Sequence, residues 1–576
     1  MKFFTSTLTL CLLASLGFAQ SPVVQNTTPN RQSMASEPGA PITISFDQAL
    51  NPATVTADSF MVFGRWSGPM DGSISLDAGN TEVTFTPQRN FFYGEWITVR
   101  LTTAIENDSG DALENGYAYN YWIKTLTGTL NQTLVDQFSA REAGETFIQC
   151  YGAYAGDVNH DEYSDLVVIN EDSEDIRVFL NNGSGGYDDF TVFDMPNASK
   201  PSTNEGADFD HDGMIDIAIG SIQNNNVSVF MGDNATIFDP ELGYSADNGV
   251  RGVAVIDVNG DGWDDLATAN RTASTYSILI NDGTGSFNAP ITTNASIAGE
   301  TSIVAVDLNN DGIQDLVIGG FNSSNVLTLL NDGQGNFTET DTVSISGSPW
   351  MLAAGDMDND GNIDVVSVNS SSGEVSILLG DGAGNLSLNN EYSVGSFSLA
   401  IDVGDIDGDQ DLDFIASNFS SGDFTLYENV GGGTFANPIT YDAVQAGSCA
   451  ILHDRNNDGA MDITLIDELE DVVILYENEP ILNNVDHEND ELIIYPNPFK
   501  DAISIQGLPG GTSGRIVIYD LQGRVIHNVN FLTSASGTTM VRLGDVVLSE
   551  GFYILEVEED GLRKKKRRKI IRKKRK

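Results

Sequence analysis

Cysteine is nearly absent from this 576-residue chain, with three in all, and histidine stops at five. So few cysteines exclude a disulfide-built scaffold. Basic residues are thin as well. Lys+Arg number 28 against 83 Asp+Glu, a formal net charge of -55, and nucleic acid is a poor partner for a body this acidic. No run beyond the first residues reaches the roughly 18 apolar residues of a membrane-spanning helix. Neither H-E-x-x-H nor G-x-S-x-G occurs, so metalloprotease and serine-hydrolase readings lack their starting residues.

What is present is unevenly placed. The last residues, 563–576 (RKKKRRKIIRKKRK), hold 12 basic side chains and no acid, so the rest of the chain is more acidic than the total suggests. Residues 1–19 (MKFFTSTLTLCLLASLGFA) read as a secretory signal peptide cut before Gln20. Cys11 leaves with it, and Cys150 and Cys449 stay. The length predicts about three or four domains.

A nine-residue acidic template recurs seven times, its first Asp residues separated by 51, 49, 50, 49, 49 and 49 positions. A Val- and Ile-rich run follows each copy, such as LVVIN at 166 or VVSVN at 365, then a second strand and a turn such as NDGTGSF. Asn-Gly and Asp-Gly turns between alternating apolar runs signal hairpins. A period with about four short strands is one propeller blade. The seventh unit stops after VVILYEN (472–478) without a fourth strand. Upstream of the first unit, Phe138 precedes Asp157 by 19 residues, as Phe238 precedes Asp257 and Phe337 precedes Asp356. The segment 130–144 therefore supplies the missing outer strand, and a closed ring of seven follows; an open solenoid is the competing arrangement.

Each template offers oxygen at positions 1, 3, 5 and 9 and a backbone carbonyl at position 7. The sets are Asp157, Asn159, Asp161, Tyr163 and Asp165; Asp208, Asp210, Asp212, Met214 and Asp216; Asp257, Asn259, Asp261, Trp263 and Asp265; Asp307, Asn309, Asp311, Ile313 and Asp315; Asp356, Asp358, Asp360, Asn362 and Asp364; Asp405, Asp407, Asp409, Asp411 and Asp413; Asp454, Asn456, Asp458, Ala460 and Asp462. Asp411 adds a carboxylate where the others give only a carbonyl. Calcium takes six to eight hard oxygen ligands, and alternate residues of a tight loop point toward such an ion. Close carboxylates without a cation repel one another. Up to seven structural calcium ions are expected, with the loops of Glu162 and Gln410, which lack the sixth-position glycine, the weakest. An EF-hand needs an acid at position 12 and flanking helices, so that reading loses.

The units resemble FG-GAP/VCBS repeats, whose seven-bladed form is similar to the integrin α-subunit head. That resemblance implies a loop between the innermost strand and the next, with calcium on the residues above. Residues 38–126 resemble an SbsA-type bacterial Ig-like domain through NPATVTADSFMVFGRWSG (51–68), VTFTP (83–87) and YNYWIKT (119–125). Such a domain implies a spacer or interaction module. Trp66, Trp96 and Trp122 offer either a sugar-stacking face or core packing. YPNPF (495–499), YDLQGR (519–524) and GFYIL (551–555) resemble a type IX secretion sorting domain, which implies export to the cell surface or medium.

The expected architecture is all-β: a signal peptide (1–19), a linker (20–37), an Ig-like β-sandwich (38–126), a seven-bladed propeller (127–480), a linker (481–491) and a small sorting β-sandwich with a basic tail (492–576). The expected function is a secreted or surface calcium-stabilised propeller that binds a glycan or protein, without catalysis. A polysaccharide-active glycosidase or lyase is the alternative, because two acids from distant loops suffice for it. Expected partners are that ligand and the type IX machinery, with no nucleic acid and no transmembrane segment. Cys150 and Cys449 fall on neighbouring units of a closed ring, as a disulfide clamp or as two buried thiols.

Overall fold

The structure, a computed structural model, describes residues 20–478 and 480 and, in the C-terminal unit, 493–495, 502–506, 513–519, 524–534, 538–543, 551–559 and 565–572. The signal-peptide reading of 1–19 and the linker at 481–491 lie outside the described residues. Among those described, every regular element is a strand.

The N-terminal sandwich has two four-stranded sheets. One runs Val24–Thr28, Ile42–Phe46, Glu82–Pro87, Gly72–Leu76; the other runs Gly68–Pro69, Phe60–Gly64, Trp96–Leu101, Tyr117–Trp122. Period-2 alternation sends Ile42, Ile44, Val83, Phe85, Ile97 and Val99 into one shared core. The segment expected as a linker already contains the edge strand Val24–Thr28, paired antiparallel with Ile42–Phe46. Its sequence, VQNTT, hides this because an edge strand with both faces largely wet needs no apolar alternation.

Seven four-stranded sheets follow, five of them from consecutive strands; in the second blade a short pair, Gly232–Asp233 with Ile237–Phe238, intervenes before the outer strand Leu242–Ser245. In the last, Thr133–Ser139 pairs with Val472–Glu477, so the strand just ahead of the first blade completes the seventh, as the spacing of Phe138 predicts. The inner strand Gly447–His453 packs on the inner strand Cys150–Gly156, and the ring is closed. Each second strand, from Asp165–Asn170 to Asp462–Asp467, is buried along its whole length. A blade packed between two neighbours has no wet face there, which is why these strands read as unbroken apolar runs.

Cys150 and Cys449 are buried free thiols in one core cluster, not a disulfide. Cys150 precedes its loop by 7 residues and Cys449 by 5, so they stand at different levels: Cys150 pairs with Asn170 and Cys449 with Ile466. Thiol titration of the denatured, unreduced mature protein is expected to count two thiols, and a count of zero would contradict this arrangement.

The sandwich is seated on the propeller. Of its five basic residues, Arg31, Arg65, Arg89 and Arg100 ion-pair with propeller aspartates Asp307, Asp402, Asp157 and Asp264. Trp66 and Trp122 are each 2 % exposed and lie in clusters shared with the blades, and Trp96 meets Trp122 edge-on at 4.6 Å. These tryptophans glue two domains, which excludes a free sugar-stacking face.

The C-terminal unit has a three-stranded sheet and a four-stranded one, closed on Ile503, Ile516, Ile518, Leu555 and Val557. The basic tail supplies its last strand: Lys565–Arg572 pairs with Gly551–Glu559, in a register that sets Arg567 opposite Glu556 and Lys565 opposite Glu558.

Candidate metal centres

Each acidic loop joins the inner strand of a blade to its second strand, and its backbone is held by its own carboxylates. Oδ2 of the first Asp accepts the sixth N–H in all seven loops, at 2.7–3.2 Å. Its Oδ1 accepts the fifth N–H in six; in the third blade Gly260 donates instead. Oδ1 of the fifth Asp accepts the seventh N–H throughout. The loop thus curls round a centre toward which oxygens face.

The ninth Asp has a second duty. One oxygen accepts the N–H of the second loop residue, and the other accepts the N–H sixteen residues on, at the end of the third strand, at 2.6–3.2 Å in every blade. It ties the loop to the blade.

The sixth position is left-handed in every loop. Glycine takes this without strain, whereas Glu162 (φ 69) and Gln410 (φ 73) each bear about 1 kcal/mol or more. The fourth position is left-handed as well and is filled by His160, His211, Gly260, Asn310, Asn359, Gly408 and Asn457. Gly, Asn and His are among the residues that tolerate such φ. From there Asn310 donates to Asn362 at 2.8 Å and Asn457 to the Glu162 carbonyl at 2.8 Å, linking loop to loop across the blade boundary. The Asp411 side chain is engaged likewise by Asn359 of the preceding loop.

Charge sorts the loops into two kinds. Three carry carboxylate triads with oxygens within 4.8 Å of one another: Asp208, Asp210 and Asp216; Asp356, Asp358 and Asp360; Asp405, Asp407 and Asp413. In the other four, the third residue is Asn, whose amide donates to the fifth Asp at 2.9–3.2 Å. Two of those four also receive a guanidinium from the sandwich, Arg89 at 3.1 Å from Asp157 and Arg31 at 3.4 Å from Asp307. The loop repeat gives no hint of these arginines. The available signal is that four of the few arginines in an acidic chain fall within residues 31–100.

Burial pushes the first aspartates up to about 6 (Asp157, Asp257, Asp307, Asp356, Asp405) or about 7 (Asp208, Asp454), and the ninth up to about 8 in Asp165, Asp265, Asp315 and Asp364. Asp407 is pushed to about 6 by burial and then by Asp409 and Asp405, and its buried Oδ1 has no hydrogen-bond partner. An orphaned buried carboxylate oxygen beside two more acids fits a hard divalent cation.

A sign follows for the metal-free protein. Carboxyls whose folded pKa is raised give stability that is complete below about pH 4 and is lost as pH rises through about 6 to 8. Calcium, which binds the ionised form, is therefore expected to raise the melting temperature more at pH 8 than at pH 5. Calorimetry of dialysed protein with and without calcium measures this; a larger increment at pH 5 would contradict it.

Residues 157–219, 208–268, 257–318, 307–367 and 356–416 each match the FG-GAP-like repeat, 19–122 match a bacterial Ig-like domain, and 493–573 match a secretion system C-terminal sorting domain. No curated protein matches the chain. Among solved structures, the BBS1N–ARL6DN complex is 10% identical over 63% of this chain and 100% of its own (TM-score 0.44). A catalytically inactive virginiamycin B lyase from Staphylococcus aureus is 12% identical over 59% and 98% (TM-score 0.43). An Agrocybe aegerita lectin recognising non-reducing terminal N-acetylglucosamine is 17% identical over 69% and 94% (TM-score 0.36). The sorting domain assigns the protein to type IX secretion and the cell surface or extracellular space. The chain carries FG-GAP-like repeats between an N-terminal bacterial Ig-like domain and a C-terminal secretion sorting domain.

Proposed function

We infer that this is a non-catalytic binding protein of the cell exterior, a calcium-stabilised propeller that recognises a glycan or protein ligand. The observation that carries the reading is the use made of its acids. Carboxylates crowd the seven loops, and the first and ninth of each loop already hold backbone N–H groups with both oxygens. Groups fixed in that way suit a structural cation better than proton transfer, which needs an acid free to exchange with substrate. The side chains at positions 1, 3, 5 and 9 and the seventh carbonyl would hold the ion. Bound there, calcium would supply the positive charge that lets three acids stay ionised side by side.

Retention on insoluble polysaccharides, together with a reducing-end assay of the same mixtures, tests the reading. Retention on at least one polysaccharide with no new reducing ends is expected. Reducing ends that accumulate in proportion to protein would replace it with the glycosidase or lyase alternative.

A further inference from the structure

The sandwich covers the loop face, so the opposite mouth of the ring is the one that faces outward. The inner strands Cys150–Gly156, Val250–Ile256 and Pro349–Gly355 each bulge at their second residue. A bulge re-aims a side chain. The re-aimed residues, Tyr151, Arg251 and Trp350, meet across the channel. The Arg251 guanidinium lies 4.5 Å from the Tyr151 ring centre and 4.6 Å from that of Trp350, and Trp350 Nε1 donates to the Tyr151 hydroxyl at 2.7 Å. With Arg251 2 % exposed, this trio floors the mouth.

Around the floor, the residue after each second strand sits on the same backbone hydrogen bond. Arg271 donates its N–H to Gly249 at 2.8 Å, Phe321 to Gly299 at 2.9 Å and Phe419 to Phe397 at 3.1 Å. One backbone geometry carrying different side chains means that the fold does not choose them. Over the third to sixth blades Arg271 and Phe321 assemble a platform with Trp350 and Phe397: Arg271 lies 4.2 Å over Phe321 and 5.0 Å over Trp350, Trp350 meets Phe397 at 5.6 Å, and Phe397 is 40 % exposed.

Arg271 is singular in its pairing. Nine arginines fall between residues 20 and 478, and eight of them ion-pair with a carboxylate. Arg271 makes neither an ion pair nor a side-chain hydrogen bond among the described residues, although two aromatic rings hold its plane in place. Its neighbour Arg251, which pairs with Glu171, is pushed down to about 9 by burial and then by Arg271. A seated guanidinium with a free fork of donors matches a planar carboxylate or a sulfate bidentately. Next to Trp350, the open Phe397 ring matches the apolar C–H face of a pyranose.

The geometry points to a ligand site at this mouth, in which Arg271 binds the carboxylate or sulfate of an acidic saccharide whose sugar ring lies on Phe397. This rests on the binding-protein reading and names its site and ligand class. Isothermal titration of the full mature protein at fixed calcium uses two matched pairs, trigalacturonate with its methyl ester and sulfated with unsulfated cellotriose. At least one acidic member is expected to bind ten-fold or more tightly than its neutral partner, and the responding pair tells uronate from sulfate. Arg271→Gln is expected to abolish that difference and Phe397→Ala to weaken both members, each at unchanged melting temperature. Equal binding of acidic and neutral members, or full binding by Arg271→Gln, overturns the anion site and leaves the binding-protein reading standing. Failure to bind any of the four overturns the site, while the polysaccharide retention assay judges the broader reading separately.

Discussion

Stripping divalent cations from the mature protein is expected to lower its melting temperature by about 5–20 °C. Extracellular calcium modules bind at about 0.1–1 mM, so at millimolar calcium each occupied loop adds on the order of 0.4–1.4 kcal/mol. Seven such loops give roughly 3–10 kcal/mol, comparable with the whole net stability of a domain. The loss falls hardest on the triads of Asp208, Asp356 and Asp405, where the third residue is a further carboxylate in place of asparagine. Scanning calorimetry before and after chelation measures it. An unmoved transition would mean that the loops stand on their own hydrogen bonds.

Asp471→Ala is expected to cost about 3–5 kcal/mol, because it removes one partner from a buried charged network. Asp471 is fully buried in the last blade. Its Oδ1 accepts the Cys150 N–H at 3.0 Å, and its Oδ2 accepts the Ile148 N–H at 3.0 Å and the Arg141 Nε–H at 2.5 Å. One carboxylate therefore pins the first blade and the segment leading to it against the seventh. Alanine strands two buried N–H groups and takes the carboxylate from the partly exposed Arg141 guanidinium. Denaturant unfolding reads the change; a loss below about 1 kcal/mol would show that strand pairing alone keeps the ring shut.

The repeat was legible because its chemistry is local. Asp at positions 1 and 9, the Val-rich second strands and the Phe138 spacing each follow from one blade's own needs, and the structure repeats them blade by blade. The fourth loop position was legible in principle, since Gly, Asn and His at one register is the trace of a left-handed residue. Docking of the sandwich was not. Arg31, Arg65, Arg89 and Arg100 find their aspartates across 68 to 337 residues of chain, and no periodicity links such pairs. Val24–Thr28 stayed hidden because a wet edge strand is held by backbone bonds that any polar sequence can make. The mouth platform lies between these cases: Glu171, Arg271, Phe321 and Glu468 stand at one register, yet their differences mean nothing until the ring brings them round one opening.

The clasp between Thr133–Ser139 and Val472–Glu477 sets a timetable. Its two halves lie roughly 335 residues apart, so at 5–20 residues per second the ribosome needs about 20–70 s to make the second after the first. Until then the earliest blade strand has no mate, and the circle stays a chain of unsealed sectors. A polypeptide bound for export is thereby kept from finishing its shape before its far end exists.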